Sequence, residues 1–144
     1  MTRDILNSHR TAIGRIKPSA PARFLVDKNL VKGNVLDYGC GRGFDAYYYG
    51  WDSYDPHFMD DVLFPPYTTI LCSYVLNTLT KKHEAGILED ITNLMAEDGV
   101  AYITVRRNVK KAGYTSKGTY QRNVVLDLPI VTENSDFCIY QLRK

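Results

Sequence analysis

Apolar residues change their spacing along the chain, and the changes predict short strands that alternate with helices. Short apolar or alternating runs that are bounded by turn residues are typical of strands. Such runs predict strands at residues 34–39, 51–55, 68–74 and 100–107. Two further strands, at residues 123–128 and 136–142, are expected to form an antiparallel hairpin that is joined by residues 129–135.

Helical spacing is found in the segments between these runs. The first helix is predicted over residues 19–30, with Ser19 as its N-cap and Pro21 in its first turn, and it ends before Lys32-Gly33. Residues 44–50 leave room for about two helical turns. Residues 81–96 form the clearest amphipathic helix, with its apolar stripe at Ile87, Leu88, Ile91, Leu94 and Met95. The polar connections that follow are a turn at Asp98-Gly99 and a loop over residues 108–121.

Strands that alternate with helices imply an open, largely parallel α/β sheet with right-handed crossovers. The length of 144 residues fits a single domain, residues 1–144. Sheets of this kind bind ligands at the carboxyl ends of their strands, near the point where the strand order reverses. The residues expected to carry function are therefore those at strand ends: Asp37 to Gly43, Asp55, Cys72 to Tyr74, and Arg106-Arg107.

Composition and charge indicate the cellular compartment of the protein but leave its function open. The formal net charge of +2 neither requires nor excludes a polyanionic partner. Cys40, Cys72 and Cys138 have no C-x-x-C spacing, so we interpret them as reduced thiols and expect neither a disulfide nor a metal site. The first 14 residues contain no apolar leader, and no apolar run is long enough to span a membrane. These features predict a cytoplasmic protein.

The segment DYGCGRG, residues 37–43, places three glycines directly after a strand. A glycine-rich turn of this kind lets the backbone approach a ligand closely. The acidic residue comes first, which disfavours a phosphate and suits a ligand with an ammonium group. Two alternatives stay open at this point: the glycines serve only the turn, and Asp37 orders the loop by accepting backbone N–H bonds.

A second acidic residue, Asp55, lies 18 positions after Asp37, at the end of the next predicted strand. An acid there can accept hydrogen bonds from the hydroxyls of a ribose, although it can also cap the turn before Pro56. A ribose combined with an ammonium-bearing tail and no phosphate describes S-adenosylmethionine (SAM). The two acids and the glycines therefore predict SAM as the cofactor.

At these positions the chain resembles the class I SAM-dependent methyltransferases. Asp37 and the three glycines match the first motif of that superfamily, and Asp55 matches its ribose-binding acid. The resemblance covers roughly residues 17–121 and is closest to methyltransferases associated with DNA phosphorothioation. The segments shared with that group are residues 11–25, 36–45, 50–58, 74–79 and 113–121.

The resemblance implies a Rossmann-like fold and a set of cofactor-binding residues. Asp37 and the glycines would hold the methionine end of SAM, and Asp55 would hold its ribose. The full predicted set is Asp37, Tyr38, Gly39, Cys40, Gly41, Gly43, Asp55, Pro56 and Ser73. No metal is expected.

The chain also departs from that superfamily. Only 14 residues separate Asp55 from Ile70, which is too few for the usual helix and outer third strand. The helix that normally precedes the last hairpin is also missing from the pattern. We therefore expect a reduced sheet, and a partner subunit or a homo-oligomer is expected because small, trimmed folds often need one.

Chemistry is expected after the third predicted strand. Tyr74 and Asn77 are the candidate catalytic residues: Tyr74 could stack on adenine or substrate, and Asn77 could hold an amine. Each also has a structural interpretation, as a core aromatic and as a helix cap. His57 is a weaker candidate base. The FPPY sequence at residues 64–67 resembles a motif of amino-methyltransferases, but Phe64 cannot accept a hydrogen bond, so we interpret it as a rigid loop.

Basic residues flank the predicted cleft and bear on the methyl acceptor. They are Arg15, Lys17, Arg106, Arg107, Lys110, Lys111, Lys117 and Arg122. Tyr114 and Tyr120 are interleaved with them, a mixture that suits nucleic acid, although a solvated loop has the same composition. Lys17, Arg106 and Tyr120 are the predicted substrate-binding residues. A protein or small-molecule acceptor stays open, as do a non-catalytic sensor or regulatory subunit that binds SAM, and a nucleic-acid-binding protein without cofactor.

Overall fold

A computed structural model of the chain describes residues 16–41, 43–55 and 62–144. The helices are α1 (Ala20–Asp27), α2 (Phe44–Tyr49) and α3 (Glu84–Leu94), and short 3-10 helices cover Leu76–Thr78 and Lys81–His83. The strands are β1 (Val35–Tyr38), β2 (Asp52–Tyr54), β3 (Tyr67–Ser73), β4 (Met95–Arg106), β5 (Gly113–Tyr114), β6 (Tyr120–Gln121), β7 (Ile130–Glu133) and β8 (Phe137–Arg143). The elements predicted up to residue 107 are thus confirmed in type and order.

Six strands form one sheet in the order β2-β1-β3-β4-β8-β7, and β5 and β6 form a separate hairpin. The first four strands of that order are parallel, whereas β8 is antiparallel to β4 and to β7. No strand of the described ranges pairs with the outer side of β2, which agrees with the predicted loss of the outer strand. The chain leaves β1 for β2 and returns to β3 on the other side of β1. This reversal is the switch point at which such sheets bind ligands.

Side chains alternate between the two faces of the sheet, and each face has its own core. One face packs against α3 and buries Leu36, Ile70, Ile103, Cys138 and Ile91. The other packs against α1 and buries Val35, Leu71, Ile139, Ala22 and Leu25. Each fully buried leucine or isoleucine contributes about 1.5–3 kcal/mol relative to an exposed one, so both helices are held mainly by these contacts.

The start of α1 is fixed by Ser19, as its sequence predicts. The Ser19 hydroxyl accepts a hydrogen bond of 3.3 Å from the amide of Ala22, the bond expected of an N-cap. The same hydroxyl donates to Asp45 Oδ2 over 2.6 Å, and the Ser19 amide donates to Asp45 Oδ1 over 2.7 Å. Asp45 lies in the first turn of α2. One carboxylate therefore ties α1 to the helix that follows the glycine loop.

The predicted strand at residues 123–128 is wrong. The hairpin is antiparallel as expected, but its first strand is β7, which lies in the segment predicted as the connection. Val124 and Leu126 are buried against the α3 face of the sheet, whereas Val125 is 76% exposed. Their alternation therefore reflects packing onto the sheet face and not ladder pairing. The segment covers the face where a helix before the hairpin would lie.

Two boundaries around the third helix also differ from expectation. The predicted helix over residues 81–96 begins as a 3-10 turn, and α3 ends at Leu94 because Met95 already belongs to β4. The turn predicted at Asp98-Gly99 is an irregularity inside β4, between the pairs that Met95 and Val100 form with β3. A Cβ atom at Gly99 would lie 2.9 Å from the carbonyl oxygens of Ala96 and Tyr67, so glycine is required there.

Candidate functional site

The loop that follows β1 occupies the carboxyl edge of the sheet, between the ends of β2 and β3. Its glycines all have left-handed backbone conformations, with φ of 73° at Gly39, 59° at Gly41 and 79° at Gly43. Residues with a side chain rarely adopt such angles, so glycine is the natural choice at each position. A Cβ atom at Gly39 would also collide with the side chain of Val75. The loop is thus shaped by backbone conformation and by a close approach to the turn after β3.

The end of β2 holds this loop in place. The carbonyl oxygen of Tyr54 accepts hydrogen bonds from the amides of Gly39, over 2.7 Å, and Cys40, over 3.1 Å. Asp55 is only 8% exposed, and its Oδ2 accepts a 2.8 Å bond from the amide of Gly41. A carboxylate has about four acceptor positions, so this bond is compatible with additional bonds to a ribose. The structure therefore brings Asp55 and the glycine loop together at the ends of β1 and β2.

Asp37 and Asp55 also lie near the Cys40 thiol. Burial raises the pKa of Cys40 to about 12, and the negative charges of Asp37 and Asp55 add to the increase. The Cys40 thiol is therefore protonated at neutral pH and is a poor nucleophile. Asp37 is itself 5% exposed. Two buried carboxylates beside the loop make this end of the site suitable for a positively charged ligand group.

Tyr38 is directed away from the loop. Its hydroxyl donates a 2.6 Å hydrogen bond to Asp90 of α3, and its ring lies 5.5 Å from that of Tyr54 between centroids. Burial and the bond to Asp90 raise the pKa of Tyr38 above its usual value. The side chain thus joins β1 to α3, which leaves only the backbone of Tyr38 near the predicted cofactor site.

The chain leaves β3 through a strained residue. Ser73 ends the strand and pairs with Thr104 of β4, and the Tyr74 amide donates to the Thr104 carbonyl oxygen over 2.8 Å. Tyr74 has φ of 62°, a conformation that costs a residue with a side chain about 1–3 kcal/mol. Such strain is found most often at functional sites. The buried Thr104 Oγ1 has no hydrogen-bond partner among the described residues.

Asn77 connects the turn after β3 to the β5–β6 hairpin. It is 1% exposed, and its side-chain amide donates a 3.2 Å bond to Gln121 Oε1. Its carbonyl oxygen accepts a bond from the amide of Arg122. Its own Oδ1 has no partner within the described part of the chain. The two segments expected to contact the methyl acceptor, around Tyr74 and around Tyr120, are therefore in contact.

Sequence reasoning missed the pair that secures this contact. Arg122 Nη2 lies 2.6 Å from Glu84 Oε2, with side chains 11% and 14% exposed, and Arg122 Nε donates to the Leu79 carbonyl oxygen over 2.6 Å. Arg107 donates to the Tyr140 hydroxyl over 3.0 Å, and its Nη2 lies 3.5 Å from the more exposed carboxylate of Glu133. Neither pairing has a local sequence signal, since each joins residues distant in the chain. Arg107 and Arg122 therefore stabilise the fold.

The three predicted substrate-binding positions differ in exposure. Lys17 is exposed, Arg106 is half-buried with its Nε bonded to Asn108, and Tyr120 is half-buried. Arg15, Pro56 and His57 lie outside the described residues. Cys72 and Cys138 are buried, and neither they nor Cys40 form disulfides.

The FPPY segment lies at the opposite edge of the sheet. The amide of Phe64 donates to the Tyr67 hydroxyl over 3.0 Å, and Asn34 Nδ2 donates to the carbonyl oxygens of Phe64 and Pro66. Asn34 precedes β1 and Tyr67 begins β3, so these bonds hold the segment at the amino ends of the strands. This position agrees with the interpretation of a rigid loop.

Neither a metal centre nor a membrane-spanning helix is found among the described residues. No group of three or more His, Cys, Asp or Glu residues there is arranged to hold a metal ion. No helix in the same ranges is long and apolar enough to cross a membrane.

Comparison with known proteins shows similarity in structure alone. No family model matches the sequence, and no curated protein matches it. The 1,6-didemethyltoxoflavin-N1-methyltransferase of Burkholderia thailandensis, determined with 1,6-didemethyltoxoflavin and S-adenosylhomocysteine, is similar with a TM-score of 0.61 and 17% identity, over 87% of this chain and 77% of that one. Magnesium protoporphyrin IX methyltransferase of Synechocystis PCC 6803, determined with SAM, is similar with a TM-score of 0.51 and 14% identity. The match covers 98% of this chain and 90% of that one. The chain thus has the class I methyltransferase fold.

Proposed function

We propose that this protein is a SAM-dependent methyltransferase. The observation that carries the proposal is the left-handed glycine loop, whose Gly41 amide is bonded to Asp55 at the ends of adjacent parallel strands. The similar structures that were determined with SAM or S-adenosylhomocysteine support the same cofactor. The overall fold and the geometry of the glycine loop thus each favour SAM as the cofactor.

The residues of the site fit SAM by charge and by shape. Asp37 and the loop would hold the charged methionine end, Asp55 would accept hydrogen bonds from the ribose, and Ser73 and Tyr74 would border the adenine. SAM supplies a methyl group that is activated by a positively charged sulfur. The protein needs mainly to align the acceptor with that methyl group and to exclude water, which requires no covalent intermediate.

The acceptor belongs to the same proposal. We favour a nucleic acid, because Arg106 ends β4 beside β3, and β6, which contains Tyr120, is bonded through Gln121 to Asn77 in the turn after β3. Asn77 would hold the N–H group of the acceptor through its Oδ1, which is buried and lacks a partner among the described residues. Kinship with the methyltransferases associated with DNA phosphorothioation is part of this proposal and is supported by the shared segments of sequence.

A partner subunit or second copy is also proposed, at the outer edge of β2. Val62 and Phe64 are exposed beside this edge, and they line a groove of about 390 Å³ together with Trp51, Asp52 and Ser53. An unpaired strand edge with apolar neighbours is a common place for association. Light scattering over a range of protein concentrations tests the proposal, and a monomer at every concentration contradicts self-association.

Calorimetry with SAM and with S-adenosylhomocysteine tests the cofactor. In Asp55→Asn the amide oxygen can still accept from Gly41, but the charged carboxylate proposed to bind the ribose is lost, so we expect affinity to fall about tenfold or more. Asp52→Asn is the matched control, because Asp52 begins β2, the strand that Asp55 follows, and its carboxylate accepts from the Tyr67 hydroxyl instead. No heat from the unmodified protein, or equal affinity in both variants, contradicts the proposal.

Catalysis is tested with methyl-labelled SAM and pools of DNA, RNA and protein. Label in the nucleic-acid pool supports the full proposal. Label in the protein pool alone contradicts the proposal of a nucleic-acid acceptor. Binding of SAM without transfer to any pool favours the second candidate, a non-catalytic sensor or regulatory subunit.

A further inference from the structure

Positive charge is concentrated in one segment of the chain. Residues 106–126 contain six of the 18 lysines and arginines and none of the 16 acids. The rest of the chain has twelve basic residues against sixteen acidic ones, so it is net negative. A near-neutral protein thus carries a local basic surface, which favours contact with a polyanion.

Only some of these basic residues form ion pairs within the described structure. Arg107 and Arg122 form ion pairs with Glu133 and Glu84, respectively. Lys110, Lys111 and Lys117 are exposed and make no ion pair with the described residues, and Arg106 is half-buried. Four cations are therefore placed to meet a partner.

The segment that carries them is ordered by its own hydrogen bonds. Asn123 closes its base, since its side chain accepts from the Val109 amide over 3.0 Å and donates to the Val109 carbonyl oxygen over 2.7 Å. At the tip, the Thr115 amide donates to the Thr119 carbonyl oxygen over 2.7 Å, and the two hydroxyls are 2.7 Å apart. Lys110 and Lys111 follow the base and Lys117 lies in the tip. A preorganised surface loses little entropy on binding.

Aromatic rings lie between these cations. Tyr114 of β5 is 41% exposed, and the ring of Tyr120 of β6 meets it edge-on with centroids 5.2 Å apart. Exposed aromatic rings next to lysines bind unpaired bases by stacking, whereas a paired duplex hides the base faces. An acidic protein segment would use the lysines but would gain nothing specific from the ring. This combination favours a single-stranded nucleic acid.

The hairpin also lies beside the predicted transfer site. Gln121 and Arg122 are bonded to Asn77, three residues after Tyr74. A strand bound along the hairpin would therefore lead to the carboxyl end of β3.

We propose that the β5–β6 hairpin and its flanks bind single-stranded nucleic acid, with Tyr114 stacking on a base and Arg106, Lys110, Lys111 and Lys117 pairing with phosphates. The role of this surface as the acceptor-binding site rests on the proposed methyltransferase function, but the binding itself does not.

Fluorescence anisotropy of a labelled thymidine oligonucleotide of about 20 residues tests the proposal without SAM. Four phosphate contacts predict a loss of affinity of about 50-fold between about 50 and 200 mM salt. In the Lys110→Ala, Lys111→Ala, Lys117→Ala triple variant the loss should fall to about threefold. The matched control replaces three exposed cations of α1 and the turn after it, Arg23→Ala, Lys28→Ala and Lys32→Ala, and should keep the original salt dependence.

The stacking role of Tyr114 is tested separately from the role of the lysines. Tyr114→Ala should weaken binding about 5- to 150-fold without changing the salt dependence, and Tyr114→Phe should bind like the original protein. Three results would each overturn the proposal. They are an affinity of Tyr114→Ala for the oligonucleotide equal to that of the original protein, tighter binding of a duplex of the same length, and equally tight binding of poly-L-glutamate. Absence of binding at low salt would overturn it as well. Calorimetry with SAM on the same variants keeps this result distinct from failure of the cofactor site, because the anisotropy assay contains no SAM and none of these residues belongs to the predicted cofactor-binding set.

Discussion

Replacing Gly39 with alanine tests whether the glycine loop is held by close contact as well as by backbone conformation. At φ of 73° an added Cβ strains the backbone, and it also collides with the side chain of Val75. Gly50 provides the matched comparison, since its φ is 75° and nothing lies within 4 Å of an added Cβ. The two alanine variants therefore share the conformational cost and differ in the collision.

The magnitudes separate the two effects. The left-handed conformation costs alanine about 1–2 kcal/mol, partly offset by the lower entropy of its unfolded chain, so Gly50→Ala should lose about 1 kcal/mol of unfolding free energy. Overpacking adds about 1–3 kcal/mol, so Gly39→Ala should lose about 2–4 kcal/mol. Val75→Ala removes the colliding methyl groups. In the double variant we expect the loss to be about 1–3 kcal/mol smaller than the sum of the single losses.

Urea denaturation followed by circular dichroism measures these free energies, provided that the m-value is unchanged among the variants. Equal losses in Gly39→Ala and Gly50→Ala would refute the contact with Val75. Simple additivity in the double variant would refute it as well, because the collision would then be absent.

The cap of α1, the Glu84–Arg122 ion pair and the Cys40 thiol can each be tested by a single substitution or reaction. Ser19→Ala should lower the unfolding free energy by about 1–2 kcal/mol in urea denaturation, because it removes the cap of α1 and a bond to α2; an unchanged midpoint would contradict that. Glu84→Gln should cost about 2–4 kcal/mol in the same assay, because the neutral amide can accept a hydrogen bond but no longer balances the largely buried Arg122 charge. A change below about 0.5 kcal/mol would mean that the ion pair is not formed in solution. The pKa of about 12 at Cys40 predicts slow alkylation by iodoacetamide at pH 8. Asp55→Asn should lower the pKa of Cys40 and speed the reaction, because one negative charge is removed; mass spectrometry identifies the modified residue, and an unchanged rate would contradict the proximity of the two groups.

Local features of the sequence predicted much of the fold. The N-cap at Ser19, the glycine loop and the apolar stripe of α3 depend on near neighbours in the chain, so each can be recognised from its pattern. The alternation at residues 123–128 was misleading for a related reason. Alternation shows which side chains are buried, and it does not show whether the backbone between them pairs with a strand or lies across a sheet face.

Contacts between distant segments required the tertiary structure. The sequence alone determined that a strand, a turn of three glycines and a second acid follow one another, because each depends on the order of residues along the chain. The order of strands in the sheet decided that Asp55 bonds Gly41. Packing of the hairpin decided that Asn77 meets Gln121 and that Arg122 pairs with Glu84. These contacts depend on side-chain geometry across elements, which no spacing along the chain encodes.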